Sequence, residues 1–264
     1  MKHWGRASGT GMDWRDEGIV ISVRRHGESA AVVDLFTAVH GRHSGVVRGG
    51  GGRRMAPLLQ PGARLAVEWS ARLEEHLGHF RVDPVGAPIA AIMADRAALA
   101  GLGSVAALIA VTLPERDAHP ALYGATRDLV AALGVASDWP ARYACWELAL
   151  LAELGFGLDL ASCAATGAVD GLAFVSPRSG RAVSAAAGAP WAGRLLPLPA
   201  FLREGWSAPP DARSVAEALA LTGHFLETRV APGLRRETLP AARARAVEAI
   251  RRTSADLGLA EGLR

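Results

Sequence analysis

The sequence has almost no lysine. Lys2 is the only one, and the other cations among the 29 basic residues are all arginines. A GC-rich genome that favours arginine codons would produce this bias, and so would a need for guanidinium groups, whose forked geometry fits phosphate oxygens. Composition alone leaves both explanations open. The formal net charge of +3 is small, so the basic character is local.

Cysteine and long apolar runs are also scarce. The two cysteines, Cys145 and Cys163, imply no disulfide framework, and free thiols in a reducing compartment are the expected state. No stretch approaches the roughly 18 apolar residues of a membrane span. Residues 1–11 lack the apolar core of a signal peptide. We therefore expect a cytoplasmic protein, with Met12 as a plausible second start site because strand-like patterning begins soon after it.

Known catalytic motifs are missing as well. The sequence has no Gly-x-Ser-x-Gly, His-Glu-x-x-His or paired-carboxylate pattern, so we expect no enzyme activity. The run Gly49–Gly52 lacks the Lys-Ser/Thr ending of a nucleotide-binding loop, and a mobile hairpin is the better interpretation. His40 and His43 lie in a short turn without an acidic or thiol partner, which favours a solvated turn over a metal site. We expect no metal and no cofactor.

The most informative absence is that of acidic residues between Leu35 and Val67. Strand-like alternation flanks this window, so it belongs to a folded surface and not to a disordered tail. A folded surface of one charge sign needs an anionic partner, and nucleic-acid phosphate is the commonest one. The five arginines of the window are Arg42, Arg48, Arg53, Arg54 and Arg64.

Short strands dominate the first third of the chain. In one of them Leu65, Val67 and Trp69 alternate with residues that face outward. Five such runs with glycine-rich turns predict a small OB-fold barrel, and helical patterns follow it. The predicted fold class is therefore α+β and multi-domain: a flexible extension at 1–11, an OB-fold DNA-binding domain at 12–86, and a helical domain at 87–264 with an irregular, metal-free insertion at 157–200.

Helix signals define the second part of the chain. Apolar periodicity, prolines and glycines predict helices over 95–113, 120–134, 140–154 and 214–230, and a last one that opens at Pro240. Asp138 is a candidate cap for the third of these helices. The fourth begins with a possible capping box of Ser214 and Glu217, for which Asp211 is a rival cap.

The aromatic residues indicate how the basic surface binds. Trp69, Phe80 and Phe36 fall on apolar faces or runs, so each is expected in the core and not as a platform for bases. Binding should then depend on arginine–phosphate contacts, with weak sequence selectivity and a steep salt dependence. The predicted nucleic-acid contacts are Arg24, Arg25, Arg42, His43, Arg48, Arg53 and Arg54.

Two blocks of the sequence resemble the RecO family of bacterial recombination mediators. The first block contains Glu17-Gly18-Ile19-Val20, Gly27-Glu28-Ser29, Phe36-Thr37, His40-Gly41-Arg42 and Leu59-Gln60-Pro61-Gly62. The second runs from Glu147 to Phe156 and continues through Leu158-Asp159-Leu160 to Cys163. The resemblance covers most of residues 13–190 and is weak beyond them.

The resemblance implies an N-terminal OB-fold, a helical domain and, in many members, a zinc-ribbon-like insertion. It also implies binding of single- and double-stranded DNA, strand annealing, partnership with RecR and with the C-terminal tail of single-strand-binding protein, help in loading RecA, and a place at the nucleoid. Arg42, Arg48, Arg53 and Arg54 fall where the family's basic OB-fold residues are expected to meet DNA. The alternative is an OB-fold RNA-binding or translation factor, because phosphate contacts alone do not distinguish RNA from DNA.

One departure from the family concerns zinc. Zinc-bearing members carry two Cys-x-x-Cys pairs after the central helix, whereas Cys163-Ala164-Ala165-Thr166 keeps a single thiol and 176–184 has none. One thiolate cannot complete a tetrahedral structural zinc site. We expect the insertion to persist without metal, stabilised by packing and turns.

Overall fold

The computed structural model describes residues 12–73, 75–86, 89–234 and 238–261, with side chains up to Thr253. The predicted extension at 1–11 lies outside the described residues. The chain divides into two compact units, which are treated separately below. The barrel unit takes in the described residues up to 86 together with Pro114–Pro120. The helical unit takes in Ile89–Leu113 and the residues from Ala121 onward.

The barrel unit is a closed five-stranded barrel with the strand order β1-β2-β3-β5-β4. All neighbouring strands are antiparallel except β3 and β5, which close the barrel through a short parallel pairing. This arrangement confirms the predicted OB-type barrel. The strands are β1 (Met12–His26), β2 (Ala30–Thr37), β3 (Gly41–Val47), β4 (Arg64–Ala71) and β5 (His79–Pro84).

The barrel interior is filled by side chains that alternate along the strands. Trp69 is 1% exposed and donates its indole N–H to the Leu77 carbonyl at 3.1 Å, so its one polar group is satisfied. Phe36 and Phe80 are also buried, which confirms that these rings belong to the core. A β-bulge between Val20 and Ser22 shifts the register of β1 against β2.

The segment Pro114–Pro120 belongs to the barrel unit although it follows a helix of the other unit in sequence. The Arg116 N–H donates to the Arg42 carbonyl at 2.7 Å. Gly41 has a φ of +62°, and a Cβ on it would stand 1.8 Å from the Asp117 carbonyl oxygen. Only glycine fits at this position, because both the positive φ and the close carbonyl exclude a side chain.

The helical unit confirms the predicted change from strands to helices. Its main helices are α1 (Ala90–Ala94), α2 (Arg96–Thr112), α3 (Pro120–Ala132) and α4 (Trp139–Glu153). After the insertion come α6 (Phe201–Glu204), α7 (Ala212–Phe225), a π-helical turn (Leu226–Val230), α8 (Ala231–Gly233) and α9 (Ala241–Glu261). No helix in the described ranges is long and apolar enough to cross a membrane.

Two helix starts differ from the simplest sequence interpretation. Asp211, the rival cap, accepts the Ser214 N–H at 2.7 Å at the start of α7. The prediction that Asp138 caps α4 is wrong, because its carboxylate makes no capping hydrogen bond. It binds the Arg142 guanidinium through two contacts of 2.8 Å and accepts the Trp206 indole N–H at 2.9 Å. These stronger donors take the carboxylate away from the backbone.

A buried ion pair joins three helices of this unit. Glu147 of α4 is fully buried, and its carboxylate accepts Arg243 of α9 at 2.7 and 2.8 Å. The Thr222 hydroxyl of α7 donates to the same carboxylate at 2.5 Å, and Arg243 also donates to the Leu219 carbonyl at 2.9 Å. The buried charges are thus paired and hydrogen-bonded on both sides.

The insertion contains a small sheet with the order β7-β6-β8, formed by β6 (Leu172–Val175), β7 (Ala182–Ser184) and β8 (Leu196–Pro197). A short helix, α5 (Ala185–Gly188), and a 3₁₀ turn (Ala189–Arg194) connect β7 to β8. Cys163 is buried beside the sheet, and its Sγ accepts the Ser184 N–H at 3.3 Å. The described residues hold no cluster of three or more His, Cys, Asp or Glu side chains placed to bind a metal.

Candidate nucleic-acid interface

The strand register brings several arginines to one end of the barrel. Arg25 lies opposite Ala31, and Ala31 lies opposite Val47, so the end of β1, the start of β2 and the end of β3 form one row. Arg24 and Arg25 are exposed at this row, and the exposed Arg48 directly follows it. Residues far apart in sequence therefore share one edge of the barrel.

The glycine run folds back over the same edge. The Gly51 N–H donates to the Ser29 carbonyl at 2.9 Å, next to the start of β2. A Cβ on Gly50 would stand 2.9 Å from the Cβ of Ala31, so the close approach requires glycine. The loop is thus anchored to the β1–β2 turn. Arg53 and Arg54, which follow the loop, are both exposed.

Five arginines around this loop form what we call the arginine edge: Arg24, Arg25, Arg48, Arg53 and Arg54. Each is exposed, and within the described ranges none has a carboxylate in ion-pair distance. Glu28, exposed in the β1–β2 turn, is the acidic residue of that turn. An unpaired positive edge creates a field that attracts phosphate, and guanidinium groups match phosphate geometry.

The other two arginines of the acid-free window are paired. Arg42 lies 3.1 Å from Asp34 and 3.6 Å from Glu115, with 16% of its side chain exposed. Burial raises the pKa of Asp34 even though Arg42 opposes the shift. Arg64 donates to Glu17 at 2.8 and 2.5 Å. Both guanidinium groups have carboxylate partners that a phosphate would need to displace.

His43 lies inside the barrel. It is 3% exposed, packs its ring edge-on against Trp14 and Trp69, and directs Nδ1 to the Ser44 carbonyl at 3.0 Å. Burial lowers the pKa of His43 below its usual range, so the ring is neutral near pH 7. A buried, neutral imidazole makes no phosphate contact. His43 and the paired Arg42 therefore leave the set of residues that the arginine edge brings together.

The tryptophan and phenylalanine rings of the barrel are packed against other side chains. Trp14 stacks on His40 with ring centres 4.0 Å apart and lies 5.7 Å from the nearly parallel Trp69 ring. His40 is held in turn by Asp16 at 3.0 Å. Among the barrel residues that the structure describes, the exposed large apolar side chains are all aliphatic. Among the described residues, the edge therefore offers charge without an exposed tryptophan or phenylalanine ring.

A cleft of about 630 Å³ adjoins the arginine edge. Arg48 and Met55 line one side, and His79, Phe80 and Arg81 of β5 line the other. Sequence reasoning missed His79 and Arg81 as neighbours of the edge. The signal was present, because Phe80 was expected in the core and its strand neighbours His79 and Arg81 must then face the opposite way.

A closed OB-type barrel with an unpaired arginine edge, followed by a helical unit, defines a class of OB-fold proteins with a phosphate-compatible surface. Within this class the chain belongs to the RecO family. The family model described as "Recombination protein O N terminal" matches residues 12–86, and "Recombination protein O C terminal" matches residues 93–237.

Relatives match over nearly their full length. A protein named "DNA repair protein RecO" from Roseobacter denitrificans is 54% identical over 241 residues, which cover 91% of this chain and 99% of the relative. The protein of the same name from Cereibacter sphaeroides is 52% identical over 242 residues, covering 91% and 100%. That from Dinoroseobacter shibae is 49% identical over 241 residues, covering 91% and 99%.

Proposed function

We propose that this chain acts in DNA repair as a non-enzymatic recombination mediator that binds DNA and anneals complementary strands. The observation that carries the proposal is the arginine edge on a chain of the RecO family. Its relatives bear the name of DNA repair proteins. The edge supplies the anion-binding surface that such a role requires.

Annealing sets a physical requirement that this edge meets. Two phosphate backbones repel each other, and arginines that neutralise phosphates release condensed counterions and reduce this repulsion. The bases must stay free to pair, so strong stacking on protein rings would hinder the reaction. An edge with exposed guanidinium groups and buried rings holds backbones and leaves bases accessible.

The proposed contact set follows from exposure and pairing. It keeps Arg24, Arg25, Arg48, Arg53 and Arg54, which are exposed and lack carboxylate partners in the described part of the chain. Arg42 and His43 are left out, because the first is paired with two carboxylates and the second is buried. Arg81 lines the adjoining cleft but lies 3.8 Å from Glu68, so it is not part of the unpaired set.

The proposed partners include RecR and the acidic, apolar C-terminal tail of single-strand-binding protein, with RecA loading as the outcome. For the tail, a groove of about 300 Å³ between α7 and α9 has suitable chemistry. Leu219, Val247 and Ile250 form its apolar lining, and the exposed Arg213 and Arg251 flank it. Both arginines are salt-bridged at the surface, Arg213 to Glu217 at 2.9 Å and Arg251 to Glu248 at 2.9 Å. The acidic groups of a tail would compete with these exposed pairs, while its apolar groups would meet the apolar floor.

Ala216→Glu tests the groove. Ala216 is exposed on its wall, so the added carboxylate makes the groove less positive and places a charge on its apolar surface without disturbing the core. We expect loss of binding to a synthetic tail peptide and unchanged DNA binding. Unchanged peptide binding would remove the groove from the proposal and leave the DNA-binding part intact.

The decisive experiment for the function is an annealing assay on complementary DNA strands coated with single-strand-binding protein. The protein should accelerate annealing of coated DNA, and matched RNA strands should gain less. A preference for RNA would favour the OB-fold RNA-binding alternative. Absence of acceleration on both bare and coated DNA would overturn the proposal.

A further inference from the structure

A second stretch of the chain also lacks acidic residues. Between Gly171 and Arg203, from the middle of the insertion into α6, there is no Asp or Glu. Two of its arginines serve the fold: Arg181 pairs with Asp159 at 3.2 Å, and Arg203 donates to the Leu160 and Val169 carbonyls at 2.9 and 3.1 Å. The other two, Arg178 and Arg194, are exposed and have no carboxylate in ion-pair distance among the described residues.

Trp191 stands out within this stretch because it is 56% exposed. The other tryptophans in the described ranges are buried or partly buried. Leaving an indole in water forgoes about 2 kcal/mol or more of burial, which is unusual for so large an apolar side chain. The Arg194 guanidinium lies 5.7 Å from its ring centre, a distance that allows a cation–π contact.

The turn that presents Trp191 is firmly packed. Gly188, just before the turn, approaches Phe174 so closely that a Cβ would stand 2.6 Å from its ring. After the turn, Leu196 pairs with Val175, and the Leu198 N–H donates to the Ala173 carbonyl at 2.9 Å. The exposed ring is therefore held by ordered structure on both sides.

The register also places a second cation near this turn. β8 starts with Leu196 opposite Val175, the last residue of β6. The β6–β7 turn, which carries Arg178, begins at that same end of the sheet. Arg178 and Arg194, the second of which precedes Leu196 by two residues, thus lie toward the same end of the small sheet, and Trp191 is joined to them through its 5.7 Å contact with Arg194.

We propose that this end of the insertion is a second nucleic-acid contact, at which Trp191 stacks on an unpaired base of single-stranded DNA while Arg194 and Arg178 bind the flanking phosphates. The inference rests on the proposed function, since it presumes a DNA ligand. A π-surface beside unpaired cations suits a ligand that is both aromatic and anionic, and a single strand has both properties.

The two contacts differ in what they recognise. The arginine edge binds phosphates, which duplex and single strand both carry. A stacking ring requires a base that is out of the duplex stack, so Trp191 adds affinity for single strands alone. The chain would then hold unpaired DNA more tightly than duplex and lose that advantage as annealing completes.

The test compares Trp191→Ala and Trp191→Phe in the full chain, with oligo-dT and a duplex of equal length as ligands. We expect Trp191→Ala to weaken oligo-dT binding about tenfold, within the range of base–aromatic stacking, and to leave duplex binding unchanged. Trp191→Phe should restore most of the affinity. Val135→Ala, which truncates another exposed apolar side chain of the same unit (73% exposed), is the control and should change neither affinity.

Other outcomes separate the two proposals. If wild type binds both ligands and Trp191→Ala binds oligo-dT equally well, the second contact is overturned while the proposed function stands. If the wild-type protein binds neither ligand, the proposed DNA-binding function is itself overturned, and the second contact with it. Tryptophan fluorescence gives an independent measurement. Oligo-dT should quench the fluorescence of the wild-type protein and quench that of Trp191→Phe much less. Equal quenching of both proteins would also overturn the second contact.

Discussion

In the barrel unit Arg48, Arg53 and Arg54 reach solvent without a carboxylate partner in the described residues, whereas in the helical unit Arg243 is buried against Glu147. The same side chain thus serves two opposite purposes. Exposed guanidinium groups keep their charge available to a ligand. The charge of the buried guanidinium is neutralised by a carboxylate inside the protein, and removing that carboxylate would strongly destabilise the fold. The high arginine content therefore has no single structural explanation.

The largest effect on the contrast between buried and exposed arginines should come from removing the buried cation. Arg243→Ala leaves the Glu147 carboxylate buried and unpaired, and we expect it to destabilise the helical unit by about 3–5 kcal/mol. Urea unfolding followed by far-ultraviolet circular dichroism measures this, because the signal comes mainly from helices. Arg251→Ala, in the same helix but 67% exposed beside Glu248, is the control and should cost less than about 1 kcal/mol. Equal losses would mean that burial does not distinguish the two arginines.

The second prediction concerns the exposed cations. Arg53→Ala combined with Arg54→Ala should weaken DNA binding and reduce the slope of log affinity against log salt by about 1.8 for duplex DNA. The fold should remain intact, because neither side chain has a carboxylate partner among the described residues. Binding titrations at several salt concentrations give the slope. Arg42→Gln, at a paired arginine, should leave the slope unchanged, and an equal change there would contradict the division into paired and unpaired groups.

A smaller effect should follow from removing a negative charge at the arginine edge. Glu28 lies exposed in the β1–β2 turn, so Glu28→Gln should strengthen DNA binding by less than about fivefold at low salt. The gain should vanish at high salt, where exposed charges are screened. Glu75→Gln, an exposed change in the β4–β5 connection, is the matched control. A salt-independent gain would point to a structural cause.

The smallest effect contrasts the two cysteines. Hydrogen bonds from Thr166 and Ser184 lower the pKa of the Cys163 thiol to about 6, whereas burial raises the pKa of Cys145 to about 11. As pH is raised, the thiolate absorbance near 240 nm should therefore increase in one step near pH 6. The Cys163→Ser variant should lack this step. The stabilisation linked to this thiolate is present above its unfolded pKa and is lost as pH falls through about 6. A single step above pH 8 would contradict the assignment.

The barrel was largely predictable because its signals are local. Alternation placed Leu65, Val67 and Trp69 in the core, and the structure confirms all three. The bulge in β1 was not visible, since the inserted Ile21 is as apolar as its neighbours. Helix positions in the second unit followed from periodicity, but Asp138 failed as a cap because Arg142, one turn later, and Trp206, distant in sequence, bind its carboxylate.

The candidate site was less predictable, because charge pairing depends on long-range contacts. The acid-free window contained Arg42 and Arg48 alike, and nothing local separated them. Arg42 is neutralised partly by Glu115, which lies more than seventy positions later in the sequence. His43 looked like a turn residue, yet the barrel closes around it. The acid-free stretch of the insertion was equally visible in sequence, but its meaning depends on the exposure of Trp191.

The glycine at position 41 has a practical consequence for dissecting the molecule. The Asp117 carbonyl fills the space that a side chain would occupy there, so residues 114–120 pack directly against the barrel although they come from a distant part of the chain. A fragment cut after residue 86 would lose Glu115 together with the backbone bond from Arg116. Arg42 would keep its contact with Asp34 but lose the second carboxylate, so DNA binding measured on such a fragment would not represent the intact barrel unit.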